Sequence, residues 1–121
     1  MTFEARFLVA LAVTVVLETA VLALAVRLTR APEKYAILRV IAAGILASTL
    51  TLPYLWFILP RFVNGPWFAV LGESLVVLIE TPVLALVLPA TAWRALALSL
   101  VCNVASWLAG PPIVTAILRR L

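Results

Sequence analysis

Four apolar runs, each about as long as a bilayer is thick, leave this chain little choice of fold. They occupy roughly 5–26, 36–59, 67–88 and 94–118, with short stretches between them. A hydrocarbon core of about 30 Å needs about 20 apolar residues in helical form. In that solvent every backbone amide must be satisfied inside the protein, so the choice lies between helices and a closed barrel. The apolar–polar alternation of barrel strands is missing, and we expect an all-α integral membrane protein with four transmembrane helices. Composition agrees: 66% of residues are hydrophobic and 12% charged, against about a half and a quarter in soluble domains.

The N-terminal segment MTFEARFLVALAVTVVLE lacks a basic region followed by a small-residue cleavage site, and it reads as the first span. Short linkers make successive helices antiparallel. The stretches RAPEK and NGP carry turn chemistry. Tyr35, Trp67 and Trp93 fall at span ends, where amphipathic rings favour the headgroup level. One side of the membrane receives Arg27, Arg30, Lys34, Arg39 and Arg94; the other receives Arg6, Arg61, Arg119 and Arg120. The denser cluster in the first loop argues for a cytoplasmic first loop with both termini outside. We expect a prokaryotic cytoplasmic (inner) membrane as the location.

The net charge of +4 sits between apolar runs, not in a basic stripe interleaved with aromatics. It suits anionic lipid headgroups and argues against nucleic acid. A single cysteine, Cys102, excludes an internal disulfide. The absence of histidine removes the commonest general base and transition-metal ligand. All five acidic residues are glutamates, so no aspartate-based chemistry is available. Glycine-rich phosphate loops and HExxH are missing as well. We therefore expect no enzyme activity and no cofactor.

ETAVLAL at 18–24 returns as ETPVLAL at 80–86. The match extends into the next helix, where RVIAAGILASTLT (39–51) can be laid on RALALSLVCNVAS (94–106). Arg39 then meets Arg94, Gly44 meets Ser99, Ser48 meets Asn103 and Thr51 meets Ser106. The chain is read as one membrane domain over 1–121, a tandem duplication of a two-helix hairpin at 5–60 and 67–118. Each unit has an even number of spans, so the copies enter the membrane from the same side and the repeat is parallel.

Glu18 and Glu80 fall near mid-span, where insertion scales put an ionisable side chain at about 2.5–3.5 kcal/mol and where it usually faces a bundle interior or a watery cavity. Glu73 lies two turns before Glu80 on nearly the same face, making a ladder of two carboxyls with Thr14 and Ser74 as hydroxyl neighbours. At about 100° per residue, Gly44, Ser48 and Thr51 share one face of the second helix, and Ser99, Asn103, Ser106 and Gly110 one face of the fourth. Those faces read either as close-packing seams or as neutral ligands turned toward the glutamates. Arg39 and Arg94, near helix starts, are expected to snorkel to the headgroups. Pro82 and Pro53 are expected to free carbonyls near Glu80 and near Thr49 and Thr51. The run GPP at 110–112 could mark a kink, a hinge or the start of a separate interfacial helix.

Two carboxyls brought together in a low dielectric cannot both stay ionised: one takes a proton, or a cation sits between them. The expected function is a small transporter or channel, built as a homo-oligomer, in which Glu18 and Glu80 bind protons or cations. Glu73 would be a point of access, and Asn103, Ser48, Thr51 and Ser106 would be neutral ligands. The ion would be a proton, a monovalent cation or a hard divalent cation held by oxygens. Length, four spans and a glutamate in the first helix are similar in architecture to small multidrug-resistance transporters. That family's motifs have no counterpart here, so no residue roles carry over. The alternative is a non-catalytic membrane subunit, or an anchor or assembly protein of a larger complex, whose glutamates hold partner helices.

Overall fold

The computed structural model describes residues 1–28 and 37–121. Helix α1 spans Phe3–Leu28 and α2 spans Ile37–Pro53. The second span continues as a π-helical turn, Tyr54–Ile58, and a 3-10 turn, Leu59–Arg61. Helices α3 and α4 span Trp67–Val87 and Ala92–Leu118. The four spans are 26, 25, 21 and 27 residues long, with mean hydropathies of 2.5, 1.7, 2.0 and 1.5, long and apolar enough to cross a membrane. The expected linker residues Arg30, Lys34 and Tyr35 lie outside the described residues.

Local chemistry sets the helix ends. Thr2 Oγ1 accepts from the Ala5 amide at the start of α1, and Thr91 caps α4 by accepting from the Arg94 amide at 3.3 Å, each satisfying an otherwise orphan donor. Between the second and third spans Gly65 adopts φ of 70°, a conformation that costs glycine little, and Pro66 then leads into Trp67. Trp67 and Trp93 are both exposed at helix starts, as expected of headgroup-level rings.

Helix α1 packs against α2 and α4, and α3 packs against the same two. The bundle is therefore a ring in chain order, with α1 and α3 on one diagonal and α2 and α4 on the other. One half is filled by Leu22 and Val26 of α1, Val40 and Ala43 of α2, Leu84 and Leu88 at the end of α3, and Ala95, Leu98 and Cys102 of α4. This half lies toward the α1–α2 and α3–α4 connections. Outward faces carry Leu8, Val16 and Leu24 on α1 and Val70, Leu78 and Leu86 on α3. An apolar exterior around a partly polar interior suits a lipid solvent, where packing and hydrogen bonds hold helices together.

Small residues bring α1 and α2 close. A Cβ added to Gly44 would collide with the side chain of Thr19 and come within 3.0 Å of its Cα. At the other end of the bundle, Phe3 and Phe7 stack against Trp56 and Phe57 with ring centroids 4.8–5.7 Å apart. Such edge and tilted contacts suit the ring quadrupoles and tie the start of α1 to the π-helical turn.

Two local expectations change, and one of three alternatives for a third feature drops out. The second run is α-helical only to Pro53, which has no N–H to give the Thr49 carbonyl, and the chain then widens into the π turn. Pro82 is exposed and stands one turn after exposed Leu78. The carbonyl it frees belongs to the outward face and not to the surroundings of Glu80. The Gly-Pro-Pro run does not start a separate helix: α4 runs through it to Leu118.

Candidate functional site

Almost all the buried polarity of the bundle gathers at one level. Among the described residues the buried polar side chains are Glu18, Ser48, Thr51, Glu80, Ser99 and Asn103, with half-buried Ser106 beside them. Glu18 is 4% exposed and Glu80 1%. Each sits on the inward stripe of its helix, Glu18 with Ala10, Leu22 and Val26, and Glu80 with Gly72, Val76 and Leu84.

Each carboxyl group is held from both α2 and α4. Ser48 Oγ donates to Glu18 Oε2 at 2.6 Å, and Ser106 Oγ lies 2.9 Å from Glu18 Oε1. Asn103 Nδ2 donates to Glu80 Oε2 at 2.7 Å, and Thr51 Oγ1 lies 3.0 Å from Glu80 Oε1. The partners on α2 are three residues apart, as are those on α4, so the two carboxyl groups sit within about 4.5 Å of the same depth. Asn103 Nδ2 also donates to the Ser99 carbonyl at 2.8 Å and approaches its hydroxyl at 3.3 Å. Cys102 Sγ reaches the Glu18 backbone carbonyl at 3.7 Å.

No cation accompanies these carboxyl groups among the described residues. Arg39 and Arg94 stand nine residues before Ser48 and Asn103, about 13 Å away along their helices, and neither pairs with Glu18 or Glu80. Nor does any group of three or more Cys, His, Asp or Glu side chains among the described residues gather as metal ligands.

A cavity of about 680 Å³ leads to this level from the side of the two termini and the α2–α3 connection. Phe3, Trp56, Phe68 and Trp107 line its apolar walls, and Thr14, Glu18, Thr51, Glu73, Asn103, Ser106 and Thr115 supply its polar groups. Among the described residues no lysine or arginine lines it. Glu80 is not on the wall; Thr51 stands between it and the cavity. Glu73 is half-buried and accepts no hydrogen bond from a described residue. It also lines a second hollow of about 520 Å³ on the outer face of α3 and α4, with Ser74, Asn103, Val104 and Trp107. Ser74 Oγ donates to its own Val70 carbonyl at 2.7 Å.

Of the residues singled out from sequence, Glu18, Glu80, Ser48, Thr51, Asn103 and Ser106 form one connected cluster, and Glu73 lies apart from it on the cavity wall. Ser99, one turn before Asn103 on the same helix face, anchors that amide. The cavity aromatics carried no polar pattern to single them out. Comparison with protein-family models, with curated proteins and with solved structures gives no match for this chain.

Proposed function

We propose that the protein is a small membrane transporter or channel in which Glu18 and Glu80 bind protons or cations, with Glu73 as the point of access from the cavity. The observation that carries this reading is the pair of mid-span carboxyl groups solvated by four neutral partners and neutralised by none. Hydrogen bonds lower the cost of burying a carboxylate but leave its charge in place. The balancing charge is then a proton or a mobile cation, and the cavity gives it a route. The apolar packing beyond the cluster closes the far side, as a site accessible from one face at a time requires.

The tandem duplication belongs to the same proposal. The alignment that pairs Glu18 with Glu80, Ser48 with Asn103 and Thr51 with Ser106 exchanges the two sites bond for bond. Glu18–Ser48 becomes Glu80–Asn103, and Glu18–Ser106 becomes Glu80–Thr51. The packing of the four helices follows the same exchange. Two equivalent carboxyl sites beside one pseudo-twofold axis would suit a carrier. Placement in a prokaryotic cytoplasmic membrane is supported only by the helical architecture, since outer-membrane spans are barrels.

A homo-oligomer is part of this reading, because four helices barely enclose a pathway and the α3–α4 hollow could seat a neighbouring helix. The same hollow favours the alternative, a non-catalytic subunit of a larger membrane complex. Reconstitution separates them. Purified protein in liposomes should dissipate an imposed proton or cation gradient, and E18Q and E80Q should abolish the flux while the solubilised mass stays that of the wild type. Loss of assembly in those variants, with no flux in the wild type, would leave the subunit role standing.

A further inference from the structure

All four oxygens of Glu18 and Glu80 have a partner, and the partners differ in what they can do. At Glu80, Oε2 faces Asn103 Nδ2, an amide nitrogen that can only donate. That nitrogen also faces the Ser99 carbonyl, which fixes the amide's orientation. Oε1 faces Thr51 Oγ1, and the same hydroxyl lies 2.9 Å from the Ala47 carbonyl. At Glu18, Oε2 faces the Ser48 hydroxyl. Oε1 faces Ser106 Oγ, which lies 3.1 Å from the Asn103 backbone carbonyl. A hydroxyl has one hydrogen to donate and lone pairs with which to accept. Thr51 and Ser106 therefore each stand between two acceptors with a single hydrogen to give.

We propose that the ion taken up at Glu18 and Glu80 is the proton, and that the Ser106 and Thr51 hydroxyls are two-position rotors that follow its arrival. With the carboxylate ionised, the hydroxyl donates to Oε1 and leaves the backbone carbonyl. With a proton on Oε1, the carboxyl donates to the hydroxyl oxygen, and the hydroxyl turns to donate to Ala47 or Asn103. Both states are fully hydrogen-bonded around Oε1. They differ by one proton and one rotation about a C–O bond, so exchange needs no repacking of the bundle. Thr51 lines the cavity and Glu80 does not. Its hydroxyl can thus pass its own hydrogen to Oε1 and take another from the cavity side, leaving the hydroxyl unchanged and the carboxyl protonated.

A metal cation fits this arrangement poorly. It needs oxygens whose lone pairs turn toward it, whereas Asn103 turns its NH₂ toward Glu80 and each carboxyl oxygen already meets a donor group. The other charged and titratable neighbours are few. On α2, Arg39 stands at the far end of the helix. On α4, Cys102 touches the Glu18 backbone and Arg94 stands at the far end. On α3 are Glu73 and, for Glu18, Glu80 itself; on α1, for Glu80, stands Glu18.

This inference rests on the reading that the two glutamates are ion sites, and the test keeps the two apart. The chain contains two asparagines, Asn64 and Asn103, so backbone-carbonyl carbon-13 labelling of asparagine, with Asn64 substituted, reports the acceptor of Ser106 directly. The full chain in lipid bilayers is titrated by solid-state NMR with the glutamate side-chain carboxyls also labelled. The Asn103 carbonyl should shift with the same midpoint as the Glu18 carboxyl. That response should vanish in E18Q and in S106A and return in S106T. Sodium, magnesium or calcium added at constant pH should leave the Glu18 resonance in place. A Glu18 carboxyl that titrates while the Asn103 carbonyl stays still overturns the rotor. Displacement by a metal ion at constant pH overturns the proton assignment while leaving an ion site. Rotor behaviour in a protein that carries no flux would instead retire transport and leave this inference standing.

Discussion

At the residue scale the cluster is held by neutral donors, and each should matter by a modest amount. Replacing Ser48 by alanine removes one of two partners of Glu18. The expected loss is about 1 kcal/mol, since hydrogen bonds between membrane helices average about 0.6 and reach about 1.7 kcal/mol. Unfolding in mixed micelles measures it, and in an E18Q background the loss should shrink, because the partner it serves is altered. Gly44 makes a sharper case. A valine there meets Thr19, including its backbone, so G44V should cost about 1–3 kcal/mol as overpacking, with T19A restoring only part of it. Full recovery in T19A would mean that the helices approach less closely than described. These small and hydroxylic positions were legible in sequence because they repeat at helical spacing in chains otherwise made of leucine, valine and alanine. The Thr19–Gly44 contact was not, since nothing in either helix alone marks which residue meets the glycine.

At the scale of elements, the four spans follow from the thickness of the bilayer, which sets helix length more tightly than local propensity does. The boundaries differ from the sequence reading by a few residues except in the second span. There the hydropathy is continuous from 36 to 59, and apolar content cannot distinguish an α-turn from a π-turn. Pro53 and Pro60 bracket the irregular stretch and are the only mark of it in the sequence. We expect P53A to restore the missing amide and extend regular helix toward Ile58. That rotation should carry Trp56 and Phe57 away from Phe3 and Phe7, and the altered aromatic packing should appear in near-ultraviolet circular dichroism. An unchanged spectrum would mean that the aromatic cluster itself, not the proline, holds the π turn. Pro82 proved quieter than expected, because a proline on an outward face removes a hydrogen bond without freeing a carbonyl toward the site.

At the scale of the whole molecule, the crossed pairing of the glutamates lay beyond sequence. Helical periodicity put Ser48 and Thr51 on one face and Asn103 and Ser106 on another, but which helix each face meets depends on the order of helices around the bundle. Glu18 reaches Ser106 across 88 positions of chain. The one-sided cavity is likewise a property of four helices together. In a C102A background, cysteines at Phe68 or Thr115 should react with a membrane-impermeant thiol reagent applied from the side of the termini. Cysteines at Ala95 or Val26, in the packed half, should stay unlabelled from either side. Labelling of all four would remove the apolar seal from the account. The central claim is that Glu18 and Glu80 are a coupled, exchangeable pair and not fixed struts. It is tested most directly by titrating their carbon-13-labelled carboxyls in bilayers, with E18Q and E80Q for assignment. The account predicts that both resonances move with pH and that removing either glutamate displaces the other's transition. Resonances indifferent to pH, to cations and to each other would contradict it.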